Sequence, residues 1–135
     1  MKYFLFTLLI IGISTTAAHA YQGQSIVAAV IAAEAANQGP RGMKLVAYTI
    51  ANRARQQHKT PYQIVTARNQ YYGYTAPHRN RLYFSVKATA DRLAADIMTA
   101  RDDSGGAIYF RQPREPRYSW HKVETLRYKN HIFYK

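Results

Sequence analysis

One acidic side chain, Glu34, lies in an apolar stretch of a chain that has seven Asp and Glu residues against nineteen Lys and Arg. Glu34 takes the i+7 position of a pattern whose i, i+3 and i+4 positions are Val27, Val30 and Ile31. Residues with this spacing share one face of an α-helix, and an apolar face packs against the core. The sequence therefore predicts a lone carboxyl group in buried surroundings.

Burial and helix position both favour the protonated form of this acid. A low-dielectric environment disfavours the carboxylate, which raises the pKa of the group. Gly39 and Pro40 are expected to end the helix about a turn after Glu34, where the negative end of the helix dipole also disfavours an anion. A carboxylic acid that keeps its proton near neutral pH can protonate a leaving-group oxygen, which is the task of the acid in glycoside cleavage.

Two other interpretations of Glu34 stay open on the sequence alone. A helix stripe is least certain at its margin, so Glu34 could be a solvated residue beside the core. It could also be a structural acid paired with an arginine. The remaining carboxylates have less suitable settings: Asp91 and Asp96 on a charged helix face, Asp102 and Asp103 in a turn, Glu115 in a Pro-rich loop, and Glu124 near the last strand.

Three long helices are predicted to position these groups. The first covers residues 24–37, and a tight connection at 38–42 leads to the second. The second helix ends near 56–58 and directs Lys44, Arg53 and Arg55 to solvent. Its apolar face consists of Met43, Val46, Ala47, Ile50, Ala51 and Ala54. The third covers residues 85–100, with an inner face of Val86, Thr89, Ala90, Leu93, Ile97 and Met98.

Shorter elements are predicted for the rest of the chain. Pro61 at a first-turn position, with Thr60 as a cap, predicts a short helix to Val65. Residues 68–81 lack a helical period and are predicted to form a long loop, a kind of segment that usually has a function. The tail predicts a strand at 107–110, a loop with Pro113 and Pro116, and a strand or hairpin near 126–134.

Three tyrosines, Tyr71, Tyr72 and Tyr74, stand close together in the long loop. Aromatic faces are a common platform for sugar rings, and the phenolic hydroxyl adds a hydrogen bond. The same side chains could instead anchor the loop in the core. The sequence favours neither interpretation over the other.

The first twenty residues have the features of a signal peptide, with cleavage expected after Ala20. Lys2 supplies a positive charge, residues 3–13 are almost wholly apolar, and Ala18 and Ala20 are the small residues that a signal peptidase reads. The apolar run is shorter than the ~20 residues of a spanning helix. Residues 21–135 would then form one small domain, and the absence of cysteine excludes disulfides and thiol chemistry.

The formal net charge of +12 predicts a surface that attracts anions. For an exported protein the polyanion could be a cell wall, an outer leaflet or extracellular DNA, and the scattered basic residues favour a general electrostatic bias. The histidines lack metal-ligand spacing, and no serine-nucleophile or phosphate-loop motif occurs. No metal and no cofactor are therefore predicted.

Five segments in a fixed order carry a family resemblance: 30–35 with Glu34, 39–53 with Asn52 and Arg53, 70–75 with Gln70, 103–110 with Tyr109, and 120–135 with Trp120. They resemble the spore-cortex-lytic, SleB-type cell wall hydrolases. In that family a Glu-Ala pair ends one helix and an Asn-Arg pair lies late in the next. The chain departs from many relatives in its basicity and in lacking wall-binding repeats, which puts a role in spore germination in doubt.

The resemblance implies a lysozyme-like single domain of the α+β class, mainly helical, with a short β segment near the C-terminus. It also implies cleavage of peptidoglycan glycan strands, with Glu34 as the catalytic glutamate. A lytic transglycosylase needs one acid/base glutamate, so the predicted products carry 1,6-anhydromuramic ends. A hydrolytic muramidase and a non-catalytic exported polyanion-binding module are the alternatives.

The substrate groove is predicted at six residues. Sugar rings would contact Tyr71, Tyr72, Tyr74 and Tyr109, and sugar hydroxyls would bond to Gln70 and Thr75. The expected partners are the glycan strands and the anionic wall surface, rather than nucleic acid. The protein would be periplasmic or secreted, without a transmembrane anchor after signal cleavage, and monomeric.

Overall fold

The computed structural model describes residues 19–20, 22–71 and 81–135. Helix α1 occupies residues 22–35. It is followed by a 3-10 turn at Ala36–Gln38 and by helices α2 at Gly39–Gln57, α3 at Pro61–Val65 and α4 at Tyr83–Asp96. The strands are β1 at Tyr109–Arg111, β2 at Glu124–Tyr128 and β3 at His131–Tyr134. The predicted class, α+β and mainly helical, is confirmed.

The predicted connection at 38–42 is wrong, because α2 already begins at Gly39. Gly39 has a φ of 77°, which redirects the chain after the 3-10 turn. Pro40 then occupies the first turn of α2, where its missing N–H removes no helical hydrogen bond. Gln38 lies buried beneath Gly42, and a Cβ at Gly42 would come within 2.2 Å of the Gln38 Cβ. The tight start of α2 therefore depends on both glycines.

Helix α2 is the central element and contacts the 3-10 turn, α3, α4 and β1. Its predicted apolar face is confirmed, since every one of the six predicted residues is buried: Met43, Val46, Ala47, Ile50, Ala51 and Ala54. The helix ends at Gln57 as predicted, with His58 in the left-handed conformation. Gln38 joins the start of α2 to the sheet, because its Oε1 accepts the Asn130 N–H at 3.0 Å.

The two later helices follow the prediction with one correction. Helix α3 begins with the predicted Thr60 cap, and Gln63 completes a capping box. Helix α4 ends at Asp96, whose carbonyl accepts the amides of Thr99 and Ala100 in a turn. Met98, predicted to face inward, is therefore beyond the helix, and it is 40% exposed.

The three strands form an antiparallel sheet in the order β1-β3-β2. The predicted C-terminal hairpin is confirmed by the pairing of β2 with β3, and β1 pairs with the other edge of β3. All four residues of β3 are buried. The sheet is thus held by its last strand, which packs against the helices through Phe133.

A short loop at 102–107 joins the sheet to α2. The Asp102 carboxylate accepts hydrogen bonds from the Ser104 amide at 2.7 Å, the Ser104 hydroxyl at 2.6 Å and the Gly106 amide at 3.0 Å. The Asn52 Nδ2 atom donates to Asp102 at 3.0 Å and to the Ala107 carbonyl at 3.0 Å. Asp102 is therefore the turn former that the sequence predicts.

Within the described residues, no helix has both the length and the apolar character needed to cross a membrane. The predicted signal peptide lies outside the described residues except for positions 19–20. The same is true of Tyr72, Tyr74 and Thr75 in the long loop.

Candidate active site

An open cleft of about 600 Å³ lies between the helices and the sheet. One wall comes from the helices and the segment after α3, and contains Glu34, Thr49, Arg53, Asn69, Gln70 and Tyr71. The other comes from β1 and the β1–β2 loop, and includes Tyr109, Arg111, Glu115, Tyr118, Trp120 and His121. Ligand-binding clefts typically measure roughly 300–1,000 Å³, so this one can receive part of a polymer.

Glu34 reaches the helical wall from the last turn of α1. The three apolar residues of its stripe, Val27, Val30 and Ile31, are fully packed in the core. Glu34 itself is partly buried, because the helix face that starts in the core opens onto the cleft at this point. A carboxyl group at such a boundary can exchange protons with a ligand.

Arg53, predicted to face solvent, is instead 9% exposed in the cleft wall. Its guanidinium carbon lies 5.3 Å from the ring centre of Tyr109 and 5.9 Å from that of Tyr71. Its Nη2 atom donates to the Gln70 side-chain oxygen. The prediction was wrong because aromatic faces and an amide oxygen, contributed by distant segments, replace water around the cation. Its Nε atom is buried and has no hydrogen-bond partner among the described residues.

Tyr71 and Gln70 both line the cleft. Tyr71 is 8% exposed and packs on Phe110, so it also anchors the loop in the core. Burial raises the pKa of Tyr71 to about 12; Arg53 opposes this rise and Glu34 adds to it. The phenol therefore keeps its proton at neutral pH and can donate a hydrogen bond. The Gln70 side-chain oxygen accepts a hydrogen bond from Arg53. Sugar contacts of Gln70 and Tyr71 stay predictions.

Tyr109 lies on the β wall opposite Arg53. It is the first of three aromatic rings that contact one another in turn along this wall. The His121 ring lies 5.9 Å from Tyr109, and the Trp120 ring lies 5.7 Å from His121. Tyr109 is partly exposed in the cleft. A sugar contact at Tyr109 stays a prediction, now with the ring placed on the wall that faces Glu34.

His121 is fixed as a neutral imidazole. Burial is the main cause that lowers its pKa, and the positive charges of Arg111 and Arg117 lower it further. Its Nδ1 atom accepts the Tyr118 amide at 3.0 Å, so the proton of the neutral ring is on Nε2. The ring can therefore act as a hydrogen-bond donor where it borders the cleft.

Glu115 is a second carboxylate in the same cleft. The sequence predicts Glu115 in a Pro-rich loop, distant from Glu34 along the chain. In the structure its Oε2 atom accepts the Gln112 amide at 2.6 Å. Arg111 stabilises the same loop, because its Nη1 atom donates a hydrogen bond to the Glu115 carbonyl oxygen at 2.8 Å.

Sequence reasoning missed Arg53, Tyr118, Trp120 and His121 as cleft residues, and it described Glu115 as a loop residue that only folding could bring near Glu34. Arg53 had a signal in the Asn-Arg pair of the family resemblance, where Asn52 holds the 102–107 loop and Arg53 turns into the cleft. The residues from Glu115 to His121 carried a weaker signal, since charged and aromatic side chains are concentrated in this stretch.

No three His, Cys, Asp or Glu side chains of the described ranges come together as a group that could hold a metal ion. The cleft offers carboxyl groups, a buried cation, phenol hydroxyls and aromatic faces. Such groups suit binding of a polyhydroxylated ligand and proton transfer to it.

One comparison with known proteins gives a match. A family model described as Cell Wall Hydrolase matches residues 37–134. The matched range contains Arg53, Gln70, Tyr71 and the whole β wall, and Glu34 lies just before it. Neither the curated proteins nor the solved structures give a match.

Proposed function

We propose that this chain, which belongs to the cell wall hydrolase family, cleaves the glycan strands of peptidoglycan as a lytic transglycosylase with Glu34 as its acid/base. The observation that carries the proposal is the position of Glu34, which extends from a core-packed helix stripe into a cleft lined by aromatic and hydrogen-bonding groups. The bond cleaved would join N-acetylmuramic acid to N-acetylglucosamine.

The first step transfers a proton from the Glu34 carboxyl to the glycosidic oxygen as the bond from that oxygen to the muramic anomeric carbon breaks. The leaving sugar departs with a hydroxyl group, and Glu34 becomes a carboxylate. Arg53 places a positive charge in the same wall of the cleft.

The second step uses the 6-hydroxyl of the same muramic residue. Its oxygen attacks the anomeric carbon while the Glu34 carboxylate takes its proton, giving the 1,6-anhydro product and restoring the acid. Because the hydroxyl is tethered to the reacting sugar, its effective concentration favours it over water.

A hydrolytic muramidase is the second candidate, and the presence of Glu115 in the cleft favours it. Two-carboxylate glycosidases use the second group as a nucleophile or to activate water. Glu115 already accepts a backbone amide through Oε2, which holds this carboxylate within its own loop. We favour transglycosylation because a single acid/base satisfies it.

The products of digested sacculi should carry 1,6-anhydromuramic ends, without new reducing muramic ends. Mass spectrometry of the soluble fragments measures the two kinds of end directly. Glu115→Gln should leave the product type unchanged, because the proposed reaction does not use this carboxylate. Reducing ends as the main product, lost in Glu115→Gln, would establish the muramidase instead.

Binding to sacculi should weaken as salt is added, because the net charge of +12 gives a long-range attraction to an anionic wall. Salt screens such attraction over ~8 Å at physiological ionic strength. A pelleting assay over a salt series measures the binding, with cleavage of a short uncharged glycan as the comparison. Equal salt sensitivity in both assays would mean that the charge acts inside the cleft.

We also propose export of the protein through its N-terminal signal sequence to the periplasm or cell surface, where it would act on the wall as a monomer. The family membership supports a wall-associated location. N-terminal sequencing of the exported protein would test cleavage after Ala20.

A further inference from the structure

Two aromatic rings at the end of the β wall are exposed although they are large and apolar. Tyr118 and Trp120 are each 48% exposed. Their rings stack on each other with centroids 4.4 Å apart and planes 8° apart. Stacking covers one face of each ring and leaves the outer faces, and a flat apolar ring face is the shape that the face of a sugar ring covers.

The loop that carries the pair is fixed by its own hydrogen bonds. The His121 amide donates to the Tyr118 carbonyl at 3.0 Å, and the Tyr118 amide donates to His121 Nδ1 at 3.0 Å. The Arg117 Nη2 atom donates to the carbonyl oxygens of His121 at 3.0 Å and Lys122 at 3.1 Å. Because the rings are already positioned, a ligand that lands on them loses less entropy in ordering the site.

The pair belongs to the cleft but stands apart from the groups beside Glu34. Arg53 contacts the ring of Tyr109, Tyr109 contacts His121, and His121 contacts Trp120. Two rings thus separate Arg53 from the pair along the β wall. A polymer lying in the cleft would reach both places with different sugars.

We propose that the Tyr118–Trp120 pair is a glycan subsite that binds a pyranose ring outside the two sugars flanking the cleaved bond. This inference rests on the proposed function. The sugar face supplies C–H groups to the aromatic surface, and the His121 Nε2–H beside the pair can donate to a sugar oxygen. The enzyme then gains affinity from chain length, so long strands are better substrates than short ones.

The first test measures kcat/KM on peptide-free glycans of increasing length. The wild-type value should rise with length. Trp120→Ala should lose about tenfold on long glycans, the loss expected from one aromatic contact, and stay within about twofold of wild type on the shortest glycan that is cleaved. Trp120→Phe should restore most of the activity on long glycans. The control is Phe84→Ala, which removes a 74% exposed ring outside the cleft and should match wild type at every length.

The second test reports binding without cleavage. Trp120 is the only tryptophan in the chain, so its fluorescence reports on the pair directly. Titration of Glu34→Gln with the long glycan should change the emission, and the shortest glycan should change it less. Equal losses of activity for Trp120→Ala at all lengths, or no fluorescence change with a glycan that is cleaved, would overturn the subsite. A fluorescence change with a glycan that the wild-type protein does not cleave would support the subsite and reject the proposed function.

Discussion

Glu34→Gln should reduce the lysis of purified sacculi by roughly 10²–10⁴-fold, the range expected when a general acid is removed. The amide keeps the shape of the side chain but has no transferable proton, so both proposed steps fail. Since the stripe that holds the residue is apolar and packed, the helix should keep its position. Turbidity clearing of sacculi measures the rate, and thermal unfolding followed by circular dichroism checks the fold.

A matched control for this change is Glu124→Gln. Glu124 is an exposed carboxylate on β2 and pairs with Arg127 on the same strand. An exposed pair contributes little to stability, and the residue does not line the cleft. This variant should therefore clear sacculi at the wild-type rate. A Glu34→Gln protein that does the same would remove Glu34 from the mechanism.

Asp102→Ala should destabilise the protein by about 3 kcal/mol, because several hydrogen bonds to one carboxylate disappear at once. The loss would leave the Asn52 amide and the loop amides without their acceptor. For a domain of this size the midpoint of thermal unfolding should fall by about 10 °C. Asp103→Ala is the matched control, since the neighbouring carboxylate is exposed and accepts no hydrogen bond from the described residues.

The destabilisation should depend on pH in a defined direction. Burial alone would raise the pKa of Asp102, but hydrogen bonds from Ser104, Asn52 and Gly106 outweigh it, so the pKa is lowered below 3.8. A group with a lowered folded-state pKa stabilises the protein above its unfolded-state pKa, and this contribution disappears as the pH falls through the folded-state value. The stability difference between wild type and Asp102→Ala should therefore start to shrink near the unfolded-state pKa of about 3.9 and keep shrinking as the pH falls further. A constant difference down to pH 2 would exclude this carboxylate as the cause.

The helices were largely predictable because their signals are local. The apolar period of α2 and the Thr60-Pro61 start of α3 act within one or two turns, so the sequence contains the whole reason for them. The errors occur where a local signal has two outcomes. Pro40 is compatible with a loop or with the first turn of a helix, and the structure uses it in the helix.

The cleft was only partly predictable because it is made by long-range contacts. The pattern of α2 alone predicts that Arg53 faces solvent. Its buried position depends on contacts with the rings of Tyr71 and Tyr109, which lie in distant segments. Glu115 reads as a loop residue, and only the fold of the sheet brings it to the wall opposite the helices. Glu34 could be selected as a candidate from the sequence because its apolar helix neighbours are local, whereas the groups across the cleft come from distant segments.

The strand order implies that the β wall of the cleft forms late in folding. β3 follows both of its partners in the chain, yet it lies between them. β1 therefore has no neighbour to pair with until β3 arrives, and contacts between distant segments form slowly compared with local helices. A chain that emerges from its amino end would complete the helices that carry Glu34 first. We expect the helical wall with Glu34 to form before the β wall, so that the cleft is complete only after β3 has paired with both neighbouring strands.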